Sequence, residues 1–129
     1  MRIALAQMDV ISGQVHENLQ NALRLLQQAR EQGADLVIYP ELCLSGYLVG
    51  DLWEERAFVR ECRDAGQALI AASRGIALLF GNIGECPEGK LGENGPSRIY
   101  NAAWLAQDGI SIGAPCGLPF FPKTLLPNY

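Results

Sequence analysis

The sequence predicts an α/β fold in which helices pack on a sheet that is parallel at first and antiparallel later. Short runs that are apolar on both faces, as buried strands are, alternate with two longer segments whose apolar residues recur at helical spacing. After the second helical segment, further apolar runs follow with only loops between them. The predicted element order is therefore β-α-β-α-β-β-β.

The N-terminal elements are a strand over 2–8 and a helix over 16–32. The strand run is interrupted at Ile11-Ser12-Gly13, and Gly33 provides a C-terminal stop for the helix. The apolar residues predicted to form the buried face of the helix are Leu19, Ala22, Leu23, Leu26 and Ala29. This amphipathic pattern predicts a helix that packs on a sheet through one face.

A second strand over 35–39 and a second amphipathic helix over roughly 54–74 repeat this unit. The loop between them contains Gly46 and Gly50, and Gly75 ends the helix. The predicted buried stripe of this helix consists of Phe58, Cys62, Ala65, Leu69 and Ala72.

The remaining strands are predicted over 76–83, over 98–107 and, after the hairpin signal Asp108-Gly109, in one short run. A polar loop rich in glycine and proline is predicted over 84–97. The segment 114–122 contains three prolines and is predicted to be a loop, which leads directly to Lys123.

Size, composition and charge exclude several classes of protein. A chain of 129 residues can form one core but is too short for two ordinary domains. A net charge of −4 without a Lys/Arg cluster argues against nucleic acid as a partner. No apolar run approaches the roughly 20 residues of a membrane helix, and Asp9 comes too early for a secretory leader. We therefore expect a cytoplasmic protein with neither a membrane nor a nucleic acid as partner.

The four cysteines are widely spaced, form no CxxC pair and are accompanied by a single histidine, so no metal site is expected. Cys62 falls on the apolar stripe of the second helix and is predicted to be core. If the segment after the second strand stays extended, Cys43 shares a face with Glu41. No cation lies near Cys43 in sequence, however, so it is predicted to be buried packing rather than a nucleophile. Cys86 and Cys116 fall in predicted loops.

Glu41 and Lys123 are charged residues in apolar surroundings and are candidate catalytic groups. Glu41 follows the second predicted strand, where α/β sheets open toward ligands. Partial enclosure by Tyr39, Pro40 and Leu42 would disfavour its charged form and make it a proton acceptor near neutral pH; a solvated loop glutamate is the alternative. Lys123 lies between two apolar segments, which favours a lysine that meets a partner or a reacting anion. A surface lysine that extends its charged end into solvent is the alternative.

One loop fits the phosphate-binding spacing G-x-x-x-x-G-K, from Gly84 to Lys90. Leu91 stands where magnesium binding needs Ser or Thr, and Glu85 and Glu88 would repel phosphates. We therefore predict an exposed loop without a nucleotide.

Four segments stand out in chain order: MRIALAQMDVISGQVHENL, DLVIYPELCLSGYLVGDLW, IYNAAWLAQDG and KTLLPNY. In these segments and in their order the sequence resembles the nitrilase (carbon–nitrogen hydrolase) superfamily, and within it the glutaminase domains of glutamine-dependent NAD synthetases. The resemblance implies a nitrilase-like α-β-β-α sandwich with helices outside two sheets, of which 1–129 would be the N-terminal half. The C-terminal half and a synthetase domain would then lie outside this sequence.

The resemblance also implies that glutamine is hydrolysed by a glutamate, a lysine and a cysteine. Carried over, Glu41 is the general base, Lys123 stabilises the tetrahedral oxyanion, and Tyr129 shapes the glutamine pocket. The family's nucleophilic cysteine lies beyond Tyr129, so the chain alone is expected to be inactive. It is also expected to be poorly stable or to aggregate, because half a sandwich exposes an apolar sheet face.

The ammonia would serve the ATP-dependent amidation of deamido-NAD to NAD. No cofactor is implied for amide hydrolysis, whereas ATP and magnesium would belong to the synthetase domain. The implied partners are glutamine, the rest of the same domain, the synthetase domain and, in the parent protein, further copies in a homo-oligomer. A free-standing nitrilase-type amidase acting on another small amide, or a non-catalytic interaction fragment, are the alternatives.

Overall fold

The computed structural model describes residues 1–85 and 99–124. Within this part, two α-helices pack on a six-stranded sheet. In chain order the elements are β1 (Ile3–Leu5), α1 (Val15–Glu31), β2 (Leu36–Ile38), a 3-10 turn (Gly50–Glu54), α2 (Arg56–Ala71), β3 (Ala77–Glu85), β4 (Ile99–Gln107), β5 (Ile110–Ile112) and β6 (Phe121–Pro122). The predicted order is confirmed, and one further strand is added at the end.

The sheet has the predicted change from parallel to antiparallel pairing. β1, β2 and β3 are parallel neighbours, as expected for strands connected by crossover helices. β3 and β4 form a long antiparallel ladder. β5 and β6 both pair antiparallel with β4. The turn between β4 and β5 has positive φ at both Asp108 and Gly109 (54° and 83°), as a tight hairpin turn requires.

The predictions for the C-terminal proline-rich segment and for the second helix need correction. Phe121 and Pro122 form strand β6, paired with Ala103 and Ala102, rather than the end of a loop. Proline is tolerated there because β6 is an edge strand, whose outer side needs no N–H donor. α2 is shorter than the predicted 54–74, since a 3-10 turn precedes it. Residues 86–98, which include most of the G-x-x-x-x-G-K spacing and Cys86, lie outside the described residues.

The core lies between the helices and one face of the sheet. On that face Val37, Leu78 and Ala106 are fully buried, and Phe80 packs against Trp104 with ring centroids 6.3 Å apart. The predicted helix stripes are buried at Ala22, Leu26, Ala29, Phe58, Cys62, Ala65 and Leu69, and partly buried at Leu19, Leu23 and Ala72. The periodicity of the sequence therefore identified the core-facing sides of both helices.

The other face of the sheet is apolar and faces solvent. Strand register aligns one row of apolar residues across five strands, and we call this surface the open face: Leu5, Ile38, Leu79, Leu105 and Ile112. Leu5 is 77% exposed and Ile112 is 44% exposed. An exposed apolar sheet face was expected, and the described residues show it. None of their helices is long and apolar enough to cross a membrane.

Candidate active site

A tight turn, not an extended strand, carries Glu41. β2 ends at Ile38, and the amide of Gly46 donates to the carbonyl oxygen of Leu42 at 2.8 Å. Leu42 has φ 47°, a left-handed conformation that is uncommon for a residue with a side chain. Glu41 and Cys43 therefore do not share a face in the way that strand alternation would require.

Gly81 on β3 holds this turn against the sheet. The amide of Cys43 donates to the Gly81 carbonyl oxygen at 3.0 Å, and the Gly81 amide donates to the carbonyl oxygen of Pro40 at 3.2 Å. A Cβ atom at Gly81 would lie 2.5 Å from the backbone nitrogen of Leu42 and 2.6 Å from the Cα of Glu41. The role of Gly81 was not predicted from the sequence, although a glycine inside a strand is a signal of close backbone approach.

Asn18 on α1 fixes the same turn from the helix side. It is buried, and its side-chain amide donates to the carbonyl oxygens of Leu44 (2.9 Å) and Ile11 (2.8 Å). The Ile11 amide donates back to the Asn18 Oδ1 at 2.9 Å. These bonds satisfy backbone groups that would otherwise be buried without a partner, so the turn is tied to both layers of the fold.

Strand β6 and the phenylalanine before it place Lys123. The Lys123 amide donates to the carbonyl oxygen of Asn101 on β4 at 2.8 Å. Phe120 is fully buried and packs near Trp104 with ring centroids 5.1 Å apart. A Cβ at Gly84 would lie 2.5 Å from the Phe120 ring, so a glycine is needed there for Phe120 to fit.

The two predicted catalytic residues meet in space. Lys123 Nζ lies 2.8 Å from Glu41 Oε1. The same oxygen accepts a hydrogen bond from Asn101 Nδ2 at 2.6 Å and a long one from the Tyr47 hydroxyl at 3.5 Å. Asn101 and Tyr47 lie in two of the segments that carry the family resemblance, but neither was predicted to be a site residue. A polar residue inside the apolar strand IYNAAW was the available signal for Asn101.

The predicted desolvation of Glu41 is wrong. Its side chain is 44% exposed, and Tyr39 does not enclose it, because the Tyr39 hydroxyl is buried and donates to the Ala22 carbonyl oxygen on α1. The hydrogen bond from Lys123, followed by that from Asn101, lowers the pKa of Glu41 and outweighs the opposing effect of burial. Glu41 is thus an ionised carboxylate held by two strong donors.

The cysteines among the described residues differ in solvent exposure. Cys43 is fully buried, and desolvation raises the pKa of its thiol to about 12, which fits the predicted packing role. Burial likewise raises the pKa of Cys62 to about 12. Cys116 is exposed. Tyr129, the predicted pocket residue, lies outside the described residues.

The chemistry of the described site is that of an anchored carboxylate beside an ammonium group. Such a pair can transfer a proton and stabilise a developing oxyanion. Within 1–85 and 99–124, no group of three His, Cys, Asp or Glu side chains is placed to hold a metal ion.

Residues 2–113 match the model of the carbon-nitrogen hydrolase family, and the chain belongs to this family. Glutamine-dependent NAD(+) synthetases from Xylella fastidiosa and Thermotoga maritima are 37% and 33% identical to it. Both matches cover 100% of the chain but only 21% and 20% of the relatives, so the chain spans about a fifth of their length.

Solved structures confirm the predicted nitrilase-like α/β fold. The glutamine-dependent NAD+ synthetase of Acinetobacter baumannii, solved in complex with ADP, superposes with a TM-score of 0.77 at 31% identity, over 98% of this chain and 21% of that one. An amidase from Nesterenkonia sp. superposes with a TM-score of 0.78 at 27% identity, over 100% of this chain and 44% of that one.

Proposed function

We propose that residues 1–129 form the N-terminal portion of the glutaminase domain of a glutamine-hydrolysing NAD synthetase. In that enzyme, glutamine releases ammonia, which amidates deamido-NAD to NAD at the expense of ATP. The observation that carries the proposal is the contact of 2.8 Å between Lys123 Nζ and Glu41 Oε1. This contact occurs in a chain of which 100% is covered by the match to a glutamine-dependent NAD(+) synthetase.

The proposed mechanism gives each residue one task. Glu41 accepts the proton of a cysteine thiol, whose sulfur attacks the carboxamide carbon of glutamine. Lys123 stabilises the tetrahedral oxyanion. Glu41 then returns the proton to the departing nitrogen, ammonia leaves, and water hydrolyses the thioester to glutamate and free thiol. Tyr129 is proposed to shape the glutamine pocket.

The attacking thiol is proposed to come from sequence beyond Tyr129. Cys43 and Cys62 are buried with raised pKa values, which makes them poor nucleophiles. In a solved structure of the E41Q mutant of the Nesterenkonia amidase, the acetamide moiety of fluoroacetamide is covalently added at the active site cysteine, which supports sulfur chemistry in this fold.

The open face gives a physical reason why the chain alone is proposed to be inactive. Glu41 is half exposed and its pKa is lowered, so it is ionised but only weakly basic. A second protein layer that covered both the open face and the Glu41 side chain would remove water from the carboxylate and raise its pKa toward that of a useful base. The remainder of the domain would thus supply both the nucleophile and the dry environment.

The remaining features of the proposal concern the parent protein. ATP and magnesium would bind the synthetase domain, in line with the ADP complex of the Acinetobacter baumannii enzyme. The parent is proposed to act in the cytoplasm as a homo-oligomer. Its partners would be glutamine and its own further domains, and the net charge of −4 over residues 1–129 disfavours a nucleic-acid surface on this portion.

The test compares the chain alone with protein made from the coding sequence continued past the Tyr129 codon. Ammonia release from glutamine and NAD formation from deamido-NAD with ATP and magnesium are measured for both. We expect neither activity from the chain alone and both from the longer protein. Glu41→Gln and Lys123→Met should lower glutamine-dependent turnover by about 100-fold or more and leave turnover with added ammonia intact. Glu31→Gln, on the outer side of α1, is the matched control.

Three outcomes would overturn the proposal. Ammonia release by the chain alone that is lost in Glu41→Gln would show that the nucleophile is within 1–129. A longer protein that hydrolyses butyramide but not glutamine would be a free-standing amidase. A longer protein without any amide hydrolysis would leave the interaction fragment as the better assignment.

A further inference from the structure

We propose that Asn101 is the positioning residue of this site, holding the Glu41 carboxylate and Lys123 in fixed register through its side chain and its main chain respectively. The catalytic importance of this role rests on the proposed function. The hydrogen bonds that define the role do not depend on it.

The side chain of Asn101 fixes one oxygen of the carboxylate. Its Nδ2 donates to Glu41 Oε1 at 2.6 Å, and Lys123 Nζ reaches the same oxygen at 2.8 Å. Among the described residues, no hydrogen bond reaches Oε2. Two short donors on one oxygen restrict rotation of the carboxylate.

The main chain of Asn101 fixes the lysine. Its carbonyl oxygen accepts the Lys123 amide at 2.8 Å, one residue beyond the pairing of β6 with β4. Asn101 itself pairs with Ile83 on β3, so it sits in a strand that is bonded on both sides. A single residue of a rigid strand therefore sets the distance between the carboxylate and the ammonium group.

The chemistry of the amide explains why asparagine suits this position. Its NH₂ group donates to an anion without adding a second charge, so the ion pair with Lys123 keeps its balance. An aspartate of the same shape would present an acceptor and repel Glu41. An alanine would remove the donor while leaving the carbonyl bond to the Lys123 amide in place.

The experiment measures the pKa of Glu41 by NMR in the chain labelled with ¹³C-glutamate, independently of any activity. The substitutions Leu5→Gln and Ile112→Thr remove exposed apolar side chains from the open face and are introduced to oppose the expected self-association. Glu41→Gln assigns the signal. We expect the Glu41 pKa to rise in Asn101→Ala and to rise further in Asn101→Asp. Hydrogen exchange at the Lys123 amide should be unchanged in Asn101→Ala, because its acceptor is a main-chain group. Asn21→Ala, which removes a surface bond to Arg24, is the matched control.

A Glu41 pKa that does not change in Asn101→Ala, with the β3–β4 amides still protected, would overturn the proposal. So would faster exchange at the Lys123 amide in that variant, because the side chain would then support the strand rather than the carboxylate. In the longer protein, Asn101→Ala should reduce kcat for glutamine about 10-fold or more and shift the acidic limb of its pH profile upward. If the longer protein releases no ammonia, the proposed function fails while the NMR result still decides the role of Asn101.

Discussion

Replacing Gly81 by alanine tests whether the turn that carries Glu41 depends on close approach to β3. The new Cβ would lie 2.5 Å from the Leu42 nitrogen, where ordinary contact begins at 3.4 Å, so the turn must move by about 0.9 Å. The two hydrogen bonds between Gly81 and the turn, now 3.0 and 3.2 Å, would then be close to breaking. Their loss at about 1 kcal/mol each adds to overpacking of about 1–3 kcal/mol. The reduced freedom of the unfolded chain offsets about 0.4–1 kcal/mol.

We therefore expect Gly81→Ala to lower the free energy of unfolding by about 2–4.6 kcal/mol. Urea denaturation followed by tryptophan fluorescence, in the background with Leu5→Gln and Ile112→Thr, measures this change. The Glu41 pKa, read in the same background, should rise as the turn withdraws from its donors. Ala103→Ser adds one heavy atom to the exposed cross-strand partner of Gly81 and should change stability by less than about 0.5 kcal/mol. If Gly81→Ala lowered the free energy of unfolding by no more than Ala103→Ser does, and left the Glu41 pKa unchanged, the close-approach argument would be refuted.

Three further predictions concern charge, thiols and the open face. Because the folded-state pKa of Glu41 is lowered, its pairing with Lys123 stabilises the chain above the usual carboxyl pKa of 4.5, and this contribution disappears as the pH falls through the folded pKa. Lys123→Met should flatten that part of the stability curve in urea titrations at several pH values. In a Cys86→Ser background, Cys116 should react with a thiol reagent within minutes, whereas Cys43 should react only upon unfolding; mass spectrometry of the peptides shows which is labelled. Sedimentation should show self-association that Leu5→Gln weakens, and a monomeric unsubstituted chain would contradict the role of the open face.

The periodicity of apolar residues correctly predicted the two helices and their buried faces, because burial of one face determines these elements. Leu26 and Leu69 fall on apolar stripes that identified the inner faces of α1 and α2, and Gly33 at φ 70° ends α1 as expected. Pro122 was assigned to a loop because proline interrupts most strands. The pairing of Pro122 with β4 depends on Phe120 fitting beside Gly84, and that contact between distant segments leaves no local pattern in the sequence.

The candidate site was predicted only in part. Resemblance pointed to Glu41 and Lys123, and the structure brings them together. The sequence predicts the wrong direction for the pKa of Glu41, because the residues beside Glu41 in sequence do not surround it in space: the Tyr39 side chain points to α1. Asn101 went unrecognised, since a hydrogen bond across 60 positions of sequence is a product of the β3–β4 register and not of any short motif.

The separation of the catalytic pair along the chain has a consequence for the order of folding. Glu41 and Lys123 are 82 positions apart, so closing the loop between them costs about 4 kcal/mol of chain entropy. A partly exposed ion pair returns about 0–1 kcal/mol and cannot drive that closure. We therefore expect the antiparallel ladder of β3 and β4 to form first and to bring the two residues within reach. The contact between ammonium and carboxylate is then expected among the last to form in refolding.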